Sequence, residues 1–227
     1  MSTAILTSRK KALRKSLSSI IRALSREDIR TQSSAIVARV LSSPWFHEAA
    51  TVSCYLSMPV GEVDTSAIAS AIVHSGKHLF VPRVDPVLPG GMDLLKIYDS
   101  EDLRLLPSGV WGIKEPAFHH HDVPRMKAMD GDSIPLDVIL LPGVGFDRSL
   151  SRLGHGKGYY DRFLSSYSAL ASARGHPKPL FVALALREQV LAIDQVPVGA
   201  NDVPVDMIVT PDEVITVDGD SSTQLRH

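Results

Sequence analysis

The sequence contains only one cysteine, Cys54, among its 227 residues. An intrachain disulfide needs two cysteines and a thiolate metal cluster needs several, so both are excluded, and a reducing compartment fits the composition. The chain also lacks a run of about 18 apolar residues, which excludes a membrane-spanning helix. No apolar stretch follows the basic residues at the start, and this argues against a secretory signal peptide.

The chain has almost no net charge, since 24 lysines and arginines face 25 aspartates and glutamates. A protein that coats nucleic acid normally has a strongly basic balance, so this class of function is not expected. Acidic residues are absent before Glu27, and the cations of that first segment are Arg9, Lys10, Lys11, Arg14, Lys15, Arg22 and Arg26. Such an acid-free, serine-rich start also resembles a mitochondrial transit peptide.

The spacing of apolar residues predicts an α/β protein. A stripe that includes Leu13, Leu17 and Ile21 predicts a first helix, and Ser25 with Asp28 forms a weak capping box that begins a second one. Further helices are predicted at 65–75 and 159–174, and strands at 51–58, 78–84, 92–98, 136–141, 180–186 and 207–210. Strands that alternate with helices favour a mostly parallel sheet, and the nearly continuous apolar run at 136–141 is typical of a strand covered on both faces.

No linker divides the chain, and its length favours a single domain over residues 1–227. We expect a folded core at about 7–212, a polar insertion at about 117–133 that forms a surface loop, and a polar tail at about 213–227. The insertion contains the run His119–His121. Adjacent histidines do not share one face as the ligands of a metal site do, so we expect a solvated loop there.

The densest chemical signal lies at 140–161, LLPGVGFDRSLSRLGHGKGYYD, where a buried strand ends at Pro142 and a glycine-rich loop leads into a helix. Ligands of open α/β sheets bind beyond the carboxyl ends of strands, and glycine amides beside a helix start can hold phosphates. Lys157 and Arg152 supply positive charge, and Asp161 offers an oxygen ligand for Mg²⁺. The spacing is not that of a Walker A loop, because Lys157 is followed by glycine rather than Ser or Thr. A flexible connection with Asp161 as a helix cap is the alternative.

Two segments of this loop, RLGHGKGYYD at 152–161 and LPGVGFD at 141–147, resemble the signature of the 5-formyltetrahydrofolate cyclo-ligase family, also called 5,10-methenyltetrahydrofolate synthetases. Further blocks resemble the same family in order along the chain: KKALR at 10–14, YLSM at 55–58, VPRV at 81–84, WGIKEP at 111–116, ALREQ at 185–189 and VPVGANDVPVDMIVT at 196–210. The resemblance implies a single-domain three-layer α/β/α fold with a mostly parallel central sheet. This fold is Rossmann-like and related to sugar-phosphate isomerases and CoA transferases.

The resemblance also implies a reaction that needs ATP and Mg²⁺. In the family, the formyl oxygen on N5 of 5-formyltetrahydrofolate attacks the γ-phosphate, N10 attacks the activated carbon, and loss of phosphate leaves 5,10-methenyltetrahydrofolate. Phosphoryl transfer needs positioning and charge neutralisation more than a protein nucleophile. The residues that match the family's metal ligands are Asp161 and Asp202, and those assigned to catalysis are Lys157, Tyr159 and Arg152. The implied ATP contacts are Lys10, Arg14, Arg152, Leu153, Gly154, His155, Gly156, Lys157, Gly158, Tyr159 and Tyr160.

The folate contacts that the resemblance implies are Leu56, Met58, Glu62, Trp111, Pro142, Gly143 and Tyr159. Leu56 and Met58 are two apart in a predicted strand, so they form either a wall for the pterin or ordinary core. Trp111 has the same two options. Tyr159 and Tyr160 are adjacent and cannot share a helix face, so we expect Tyr159 to face the folate and Tyr160 to pack inside.

Two departures from the family pattern leave alternatives open. Gly61 resembles a one-residue insertion, so Asp64 is an alternative to Glu62 as the acid that contacts the substrate. His155 stands where many members carry arginine, and it faces either the phosphates or solvent.

Two other functions stay open as alternatives. One is a folate- or nucleotide-binding protein without turnover that uses its basic first helix for a partner such as RNA, and the other is a different enzyme on the sugar-phosphate isomerase scaffold. The main interpretation expects a small-molecule substrate, 5-formyltetrahydrofolate with or without a polyglutamate tail, no nucleic acid or membrane partner, and a monomer or weak homodimer. It favours the cytoplasm over the mitochondrial matrix, because an ATP-contacting helix accounts for the basic start.

Overall fold

The computed structural model describes residues 2–59, 61–85, 91–109 and 112–217. Within these residues the helices are α1 (Thr3–Arg22), α2 (Arg26–Ser42), α3 (Pro44–Glu48), α4 (Ser66–His74), α5 (Ser100–Leu105) and α6 (Tyr159–Ala173). The strands are β1 (Thr51–Ser53), β2 (His78–Val84), β3 (Met92–Ile97), β4 (His119–His120), β5 (Val123–Pro124), β6 (Val138–Leu141), β7 (Gly145–Asp147), β8 (Arg152–Leu153), β9 (Leu180–Leu184), β10 (Val190–Leu191), β11 (Met207–Val209) and β12 (Val214–Thr216).

The main sheet has the strand order β12-β11-β9-β6-β1-β2-β3. All pairings from β11 through β9, β6 and β1 to β2 are parallel, and only the edge strands β3 and β12 run antiparallel to their neighbours. The mostly parallel sheet is therefore confirmed. Because the carboxyl ends of β1, β6, β9 and β11 meet at one edge of the sheet, the segments that follow them come together there.

Helices cover both faces of this sheet, as alternate side chains of β6 show. Val138 and Leu140 pack in one apolar cluster with α2, α3 and α4, whereas Ile139 and Leu141 pack in a second cluster with α6. All four side chains are fully buried. The strand is thus covered on both faces, and the three-layer α/β/α arrangement is confirmed.

The first helix lies outside these layers and packs on a small second sheet. Strands β10 and β7 pair in parallel and β7 and β8 pair antiparallel, and Leu17 of α1 packs against Val144 and Leu153 of this hairpin. A side chain at Gly145 would collide with Leu17, so glycine allows the helix to approach. The capping box predicted for α2 is confirmed, because the Ser25 hydroxyl accepts a hydrogen bond from the Asp28 amide at 3.0 Å.

Two predicted elements that lead into the cavity described below differ from the structure. The strand predicted at 51–58 ends at Ser53, because the Met58 amide donates to the Glu62 carboxylate at 3.0 Å instead of to a neighbouring strand. The loop predicted at 142–158 contains the hairpin of β7 and β8. The buried Asp147 carboxylate holds this hairpin together by accepting hydrogen bonds from backbone amides, including that of Ser151 at 3.1 Å.

The insertion at 117–133 is more than the solvated loop that we expect from its sequence. It contains the hairpin of β4 and β5, and Arg125 inserts its guanidinium beside the buried Asp102 carboxylate with hydrogen bonds of 2.5 and 2.6 Å. His120 is half-buried and stacks on Tyr98 with ring centroids 4.8 Å apart. The insertion is therefore anchored to the domain by a buried ion pair.

The predicted ends of the core also differ from the structure. Helix α1 begins at Thr3, and β12 pairs with β11 inside the segment that was predicted as a polar tail. The remaining residues of that tail, 218–227, lie outside the described residues. None of the helices in the described part of the chain has the length and apolar character needed to cross a membrane.

Candidate active site

A cavity of about 880 Å³ lies where the segments after β1 and β6 meet α1 and the start of α6. Of the residues singled out from the sequence, those that line it are Lys10, Arg14, Leu56, Met58, Glu62, Pro142, Gly143, Arg152, Leu153, Gly154, His155, Gly156, Lys157, Gly158, Tyr159, Tyr160, Asp161 and Asp202. Trp111, also predicted, lies outside the described residues. The cavity thus gathers residues from both ends of the chain.

One wall of the cavity is built by an ion pair between the two ends of the sequence. Lys10 on α1 donates to the Asp202 carboxylate, with its Nζ 2.5 Å from Oδ1. The Gly199 amide also donates to Asp202, at 2.6 Å, so the carboxylate is held from two directions. Its side chain is still 21% exposed, and that exposed part faces the cavity.

The glycine-rich loop is held against α1 by a second cation. Arg14 lies one helical turn after Lys10, and its Nε donates to the carbonyl oxygen of Gly154 at 2.7 Å. Gly156 and Gly158 have φ values of +100° and +68°, a conformation that side chains disfavour. At Gly156 a Cβ would also lie 3.3 Å from the Arg14 guanidinium. Lys157, between these glycines, is exposed and has no side-chain partner among the described residues.

A further ion pair joins the hairpin to α6. The Arg152 guanidinium donates through Nη2 to Oδ1 of Asp161 at 2.9 Å, and the Val203 amide donates to the same oxygen at 3.2 Å. The Arg152 side chain is only 3% exposed, and its buried Nε has no hydrogen-bond partner in the described part of the chain. Because Val203 follows Asp202 directly, its bond to Asp161 brings the two carboxylates to the same end of the cavity.

These two carboxylates are the residues that suit a hard cation such as Mg²⁺. Among the described residues, no group of three or more His, Cys, Asp or Glu side chains is placed to hold a metal ion. A site with two carboxylates fits Mg²⁺ nevertheless, because this ion usually keeps several waters and shares phosphate oxygens of its substrate. Each carboxylate is already paired with a cation, Asp202 with Lys10 and Asp161 with Arg152, and each keeps an exposed part.

Glu62 is a further acid that lines the cavity, and it lies beside His155 of the glycine-rich loop. Its side chain is 8% exposed, one oxygen accepts the Met58 amide, and the other lies 3.5 Å from Nε2 of His155. Asp64, the alternative, does not line the cavity in the described structure, and its carboxylate accepts the Ser66 amide at the start of α4. His155 is 55% exposed, so it touches both solvent and the cavity.

Both tyrosines at the start of α6 line the cavity. The expected inward packing of Tyr160 is seen as well. Tyr160 packs on the core cluster of α6 and lies under the Arg152 guanidinium, 5.6 Å from ring centroid to Cζ. Burial and then the Glu62 carboxylate raise the pKa of Tyr160, and the same two causes raise the pKa of Tyr55 on the facing segment. Both phenols are therefore neutral at physiological pH.

Several residues that line the cavity were not predicted from the sequence. Ser18 and Arg22 continue the four-residue steps that start at Lys10 and Arg14, so helical spacing alone could have placed them on the same face. Pro82 and Met92, from β2 and β3, add an apolar wall that had no sequence signal, since their strands are otherwise core.

The chain is similar to known proteins of one family. Residues 6–211 match the model of a protein family described as the 5-formyltetrahydrofolate cyclo-ligase family. The 5-formyltetrahydrofolate cyclo-ligase of Mus musculus is 35% identical to this chain, over 93% of the chain and 98% of the relative. The mitochondrial 5-formyltetrahydrofolate cyclo-ligase of Arabidopsis thaliana is 38% identical over 83% of the chain and 69% of the relative. A solved 5,10-methenyltetrahydrofolate synthetase from Mycoplasma pneumoniae shares the fold, with a TM-score of 0.61 at 20% identity over 89% of this chain and 98% of that one.

Proposed function

The chain belongs to the 5-formyltetrahydrofolate cyclo-ligase family, and we propose that its cavity converts 5-formyltetrahydrofolate to 5,10-methenyltetrahydrofolate with the conversion of ATP to ADP and phosphate. The observation that carries this proposal is the meeting of two kinds of surface in one cavity. One end holds Lys10, the glycine-rich loop and two carboxylates, and the other holds Glu62 between tyrosines and apolar side chains.

The charged end suits a nucleotide triphosphate. Lys10, Arg14 and Lys157 carry full positive charges, and the loop at 154–158 leads into the positive end of α6. The loop is fixed from both sides, because Arg14 donates to Gly154 and Arg162 donates to the Lys157 carbonyl at 2.6 Å. We assign to Lys157 the stabilisation of the negative charge that develops on the transferred phosphoryl group. This lysine stands at the tip of the loop and is not paired with a carboxylate.

The two ion pairs at this end give the site a way to receive metal and nucleotide together. Bound Mg²⁺ supplies charge neutralisation for the phosphate oxygens. Asp161 and Asp202 would hold this ion, and Arg152 and Lys10 would then be free to donate to the phosphates. We call this exchange of partners the ion-pair exchange. Each cation and each carboxylate is then neutralised both before and after binding, so no charge is left uncompensated in the cavity.

The other end suits the reduced pterin and its formyl group. Leu56 and Met58, which follow β1 as an irregular segment, offer apolar contacts, and Glu62 offers a hydrogen-bond acceptor. Tyr55 and Tyr160 stay protonated because their pKa values are raised, so each can donate from its hydroxyl group without carrying charge. This end therefore orients the formyl oxygen toward the phosphate-binding loop.

The proposed reaction has two steps. The formyl oxygen attacks the γ-phosphorus while the bond to the bridging oxygen breaks and ADP leaves. N10 then attacks the formyl carbon and loses its proton, and the carbon–oxygen bond breaks to release phosphate. The protein's contribution is positioning and charge neutralisation, which account for most of the catalysis of phosphoryl transfer.

The test is an absorbance assay of the purified chain with 5-formyltetrahydrofolate, ATP and Mg²⁺. The proposal expects the chromophore of the methenyl product to form, and to form only when both ATP and Mg²⁺ are present. A folded protein that binds folate and ATP without forming product contradicts the enzyme and supports the binding-protein alternative. Product formation without ATP contradicts the assigned phosphoryl transfer.

For location we propose the cytoplasm, because α1 carries Lys10, Arg14 and a whole wall of the cavity. If α1 itself acted as an import signal, its removal after import would take these residues from the cavity. Mass analysis of the amino terminus of the protein from its native cells tests this. An intact first helix in a mitochondrial fraction, or a mature chain that starts after Lys10, contradicts it. The monomeric or weakly dimeric state stays a prediction.

A further inference from the structure

We propose that Arg22, at the last turn of α1, binds the carboxylates of the glutamyl tail of the folate. This inference rests on the proposed function, since it concerns the same substrate. It adds a binding residue that the family signature does not contain, at the opposite end of α1 from the nucleotide.

The first support is the way in which α1 lies along the cavity. Thr7, Lys10, Arg14, Ser18 and Arg22 of this helix line the cavity at three- and four-residue steps, and Ile21 lines it three residues after Ser18. Such steps keep side chains on one face of a helix. With a rise of about 1.5 Å per residue, Arg22 lies about 18 Å along the axis from Lys10. One helix face therefore spans both ends of the cavity.

The second support is the order of contacts along that face. Lys10 and Arg14 contact Asp202 and Gly154, which belong to the nucleotide end. Near the other end of the helix, Ile21 lies below Gly61, where an added Cβ would be 3.7 Å from its Cγ2. Gly61 precedes Glu62, the acid of the folate end. Arg22 thus stands beside the segment that carries Glu62, about 12 Å along the helix axis from Arg14.

The third support is that most of the cations that line the cavity already have partners. Lys10 and Arg152 are paired with carboxylates, and Arg14 is bonded to the Gly154 carbonyl. Lys157 lies on the phosphate loop. Arg22 has no hydrogen-bond or ion-pair partner among the described residues, and it is the cation of the folate end.

The shape of the substrate and the chemistry of arginine both point to the glutamate carboxylates as the group that Arg22 binds. The pterin and formyl groups must lie near the phosphate loop for reaction, so the glutamate points away from it, toward the mouth of the cavity. An arginine guanidinium matches a carboxylate with two parallel hydrogen bonds, and such charge-assisted bonds are stronger than neutral ones. Gly61 lies over Ile21, next to Arg22, so the segment before Glu62 passes close to this arginine.

The experiment compares two folate probes by calorimetric titration without ATP. One probe is 5-formyltetrahydrofolate, and the other is 5-formyltetrahydropteroate, which lacks the glutamate. We expect Arg22→Gln to weaken binding of the first about tenfold, in line with the loss of a charge-assisted hydrogen bond, and to leave the second and ATP unchanged. Arg22→Lys should restore most of the affinity. The matched control is Arg26→Gln, at an exposed arginine of the next helix that does not line the cavity.

The outcomes separate this inference from the proposed function. An equal loss for both probes, a loss of ATP affinity, or no loss at all overturns the role of Arg22. If the wild-type chain forms the methenyl product but does not distinguish the two probes, the proposed function stands and the tail site is overturned. If it binds neither probe and forms no product, the proposed function itself fails.

Discussion

The ion pairs of the cavity and the ion pair between the insertion and Asp102 both join a cation to a carboxylate, but they differ in how completely these groups are hydrogen-bonded. All five donors of Arg125 have partners, since it makes two hydrogen bonds to Asp102, two to backbone carbonyls and one of 3.5 Å to Nδ1 of His120. Both side chains of the ion pair are 4% exposed. Arg152 is equally buried, but its Nε lacks a partner in the described chain and Asp161 is 19% exposed.

The difference shows how a buried ion pair can be either permanent or exchangeable. In the insertion, every donor of the arginine is used, and the hydrogen bonds from Arg125 and the Tyr98 amide outweigh burial and lower the pKa of Asp102. No ligand could improve on these contacts. In the cavity, the carboxylates keep an open side and the arginine keeps an unused donor, so a metal and an anion can take over from the two partners.

The largest expected effect concerns Lys157, the lining cation of the phosphate loop that has no partner in the described structure. Lys157→Ala should lower turnover about 10³-fold, which is the size of effect seen when a cation at a phosphoryl-transfer site is removed. Because the side chain is exposed, the free energy of unfolding should stay nearly unchanged. Steady-state kinetics and thermal unfolding check both results, and near-normal turnover would remove its assigned role.

The next effect tests the permanent pair. Arg125→Met should leave Asp102 buried without a partner and lower the free energy of unfolding by about 3 kcal/mol, while turnover per folded molecule changes less than about twofold. Asp202→Asn is the matched variant in the cavity. It should lower stability by about 1 kcal/mol or less and depress turnover strongly. Urea unfolding with activity assays checks this contrast, and the same pattern in both variants would remove the distinction.

The smallest expected effect concerns the stability contribution of Cys54, a buried group that stays neutral. Burial raises the pKa of the Cys54 thiol from 9.0 to about 12. The folded state keeps this proton longer than the unfolded state, so the stability contribution is complete below about pH 9 and is lost as the pH rises toward 12. From about pH 9 to pH 10, the free energy of unfolding should fall by about 1 kcal/mol more in wild type than in Cys54→Ala. Urea unfolding at the two pH values measures this, and parallel losses would contradict it.

The cavity was largely predictable from the sequence, and the insertion was not. Gly156, Gly158 and Lys157 form a local motif, so spacing alone pointed to a phosphate loop. That Lys10 and Asp202 meet across 192 positions came from the resemblance to the family, because no local pattern links them. The bond between Arg125 and Asp102 had no such guide, since a charge in a polar segment predicts solvent exposure unless its buried partner is known.

The irregular segment after β1 shows why strand ends are hard to predict. Leu56 and Met58 have the alternation of a strand, but the Glu62 carboxylate takes the Met58 amide away from sheet pairing. That competition between a side chain and a neighbouring strand depends on tertiary contacts, which the alternation does not contain. The same bond holds Glu62 at the cavity, which favours it over Asp64 as the acid proposed to contact the folate.

The ion-pair exchange is tested most directly by the affinity for ATP of wild type and Asp161→Asn, measured by calorimetric titration with Mg²⁺ and with a chelator. In wild type, we expect Mg²⁺ to tighten ATP binding at least about tenfold, since the metal releases Arg152 and Lys10. In Asp161→Asn, Arg152 is already released, so metal-free ATP should bind more tightly than it does to wild type and Mg²⁺ should add little. Weaker binding of metal-free ATP by the variant would contradict the exchange.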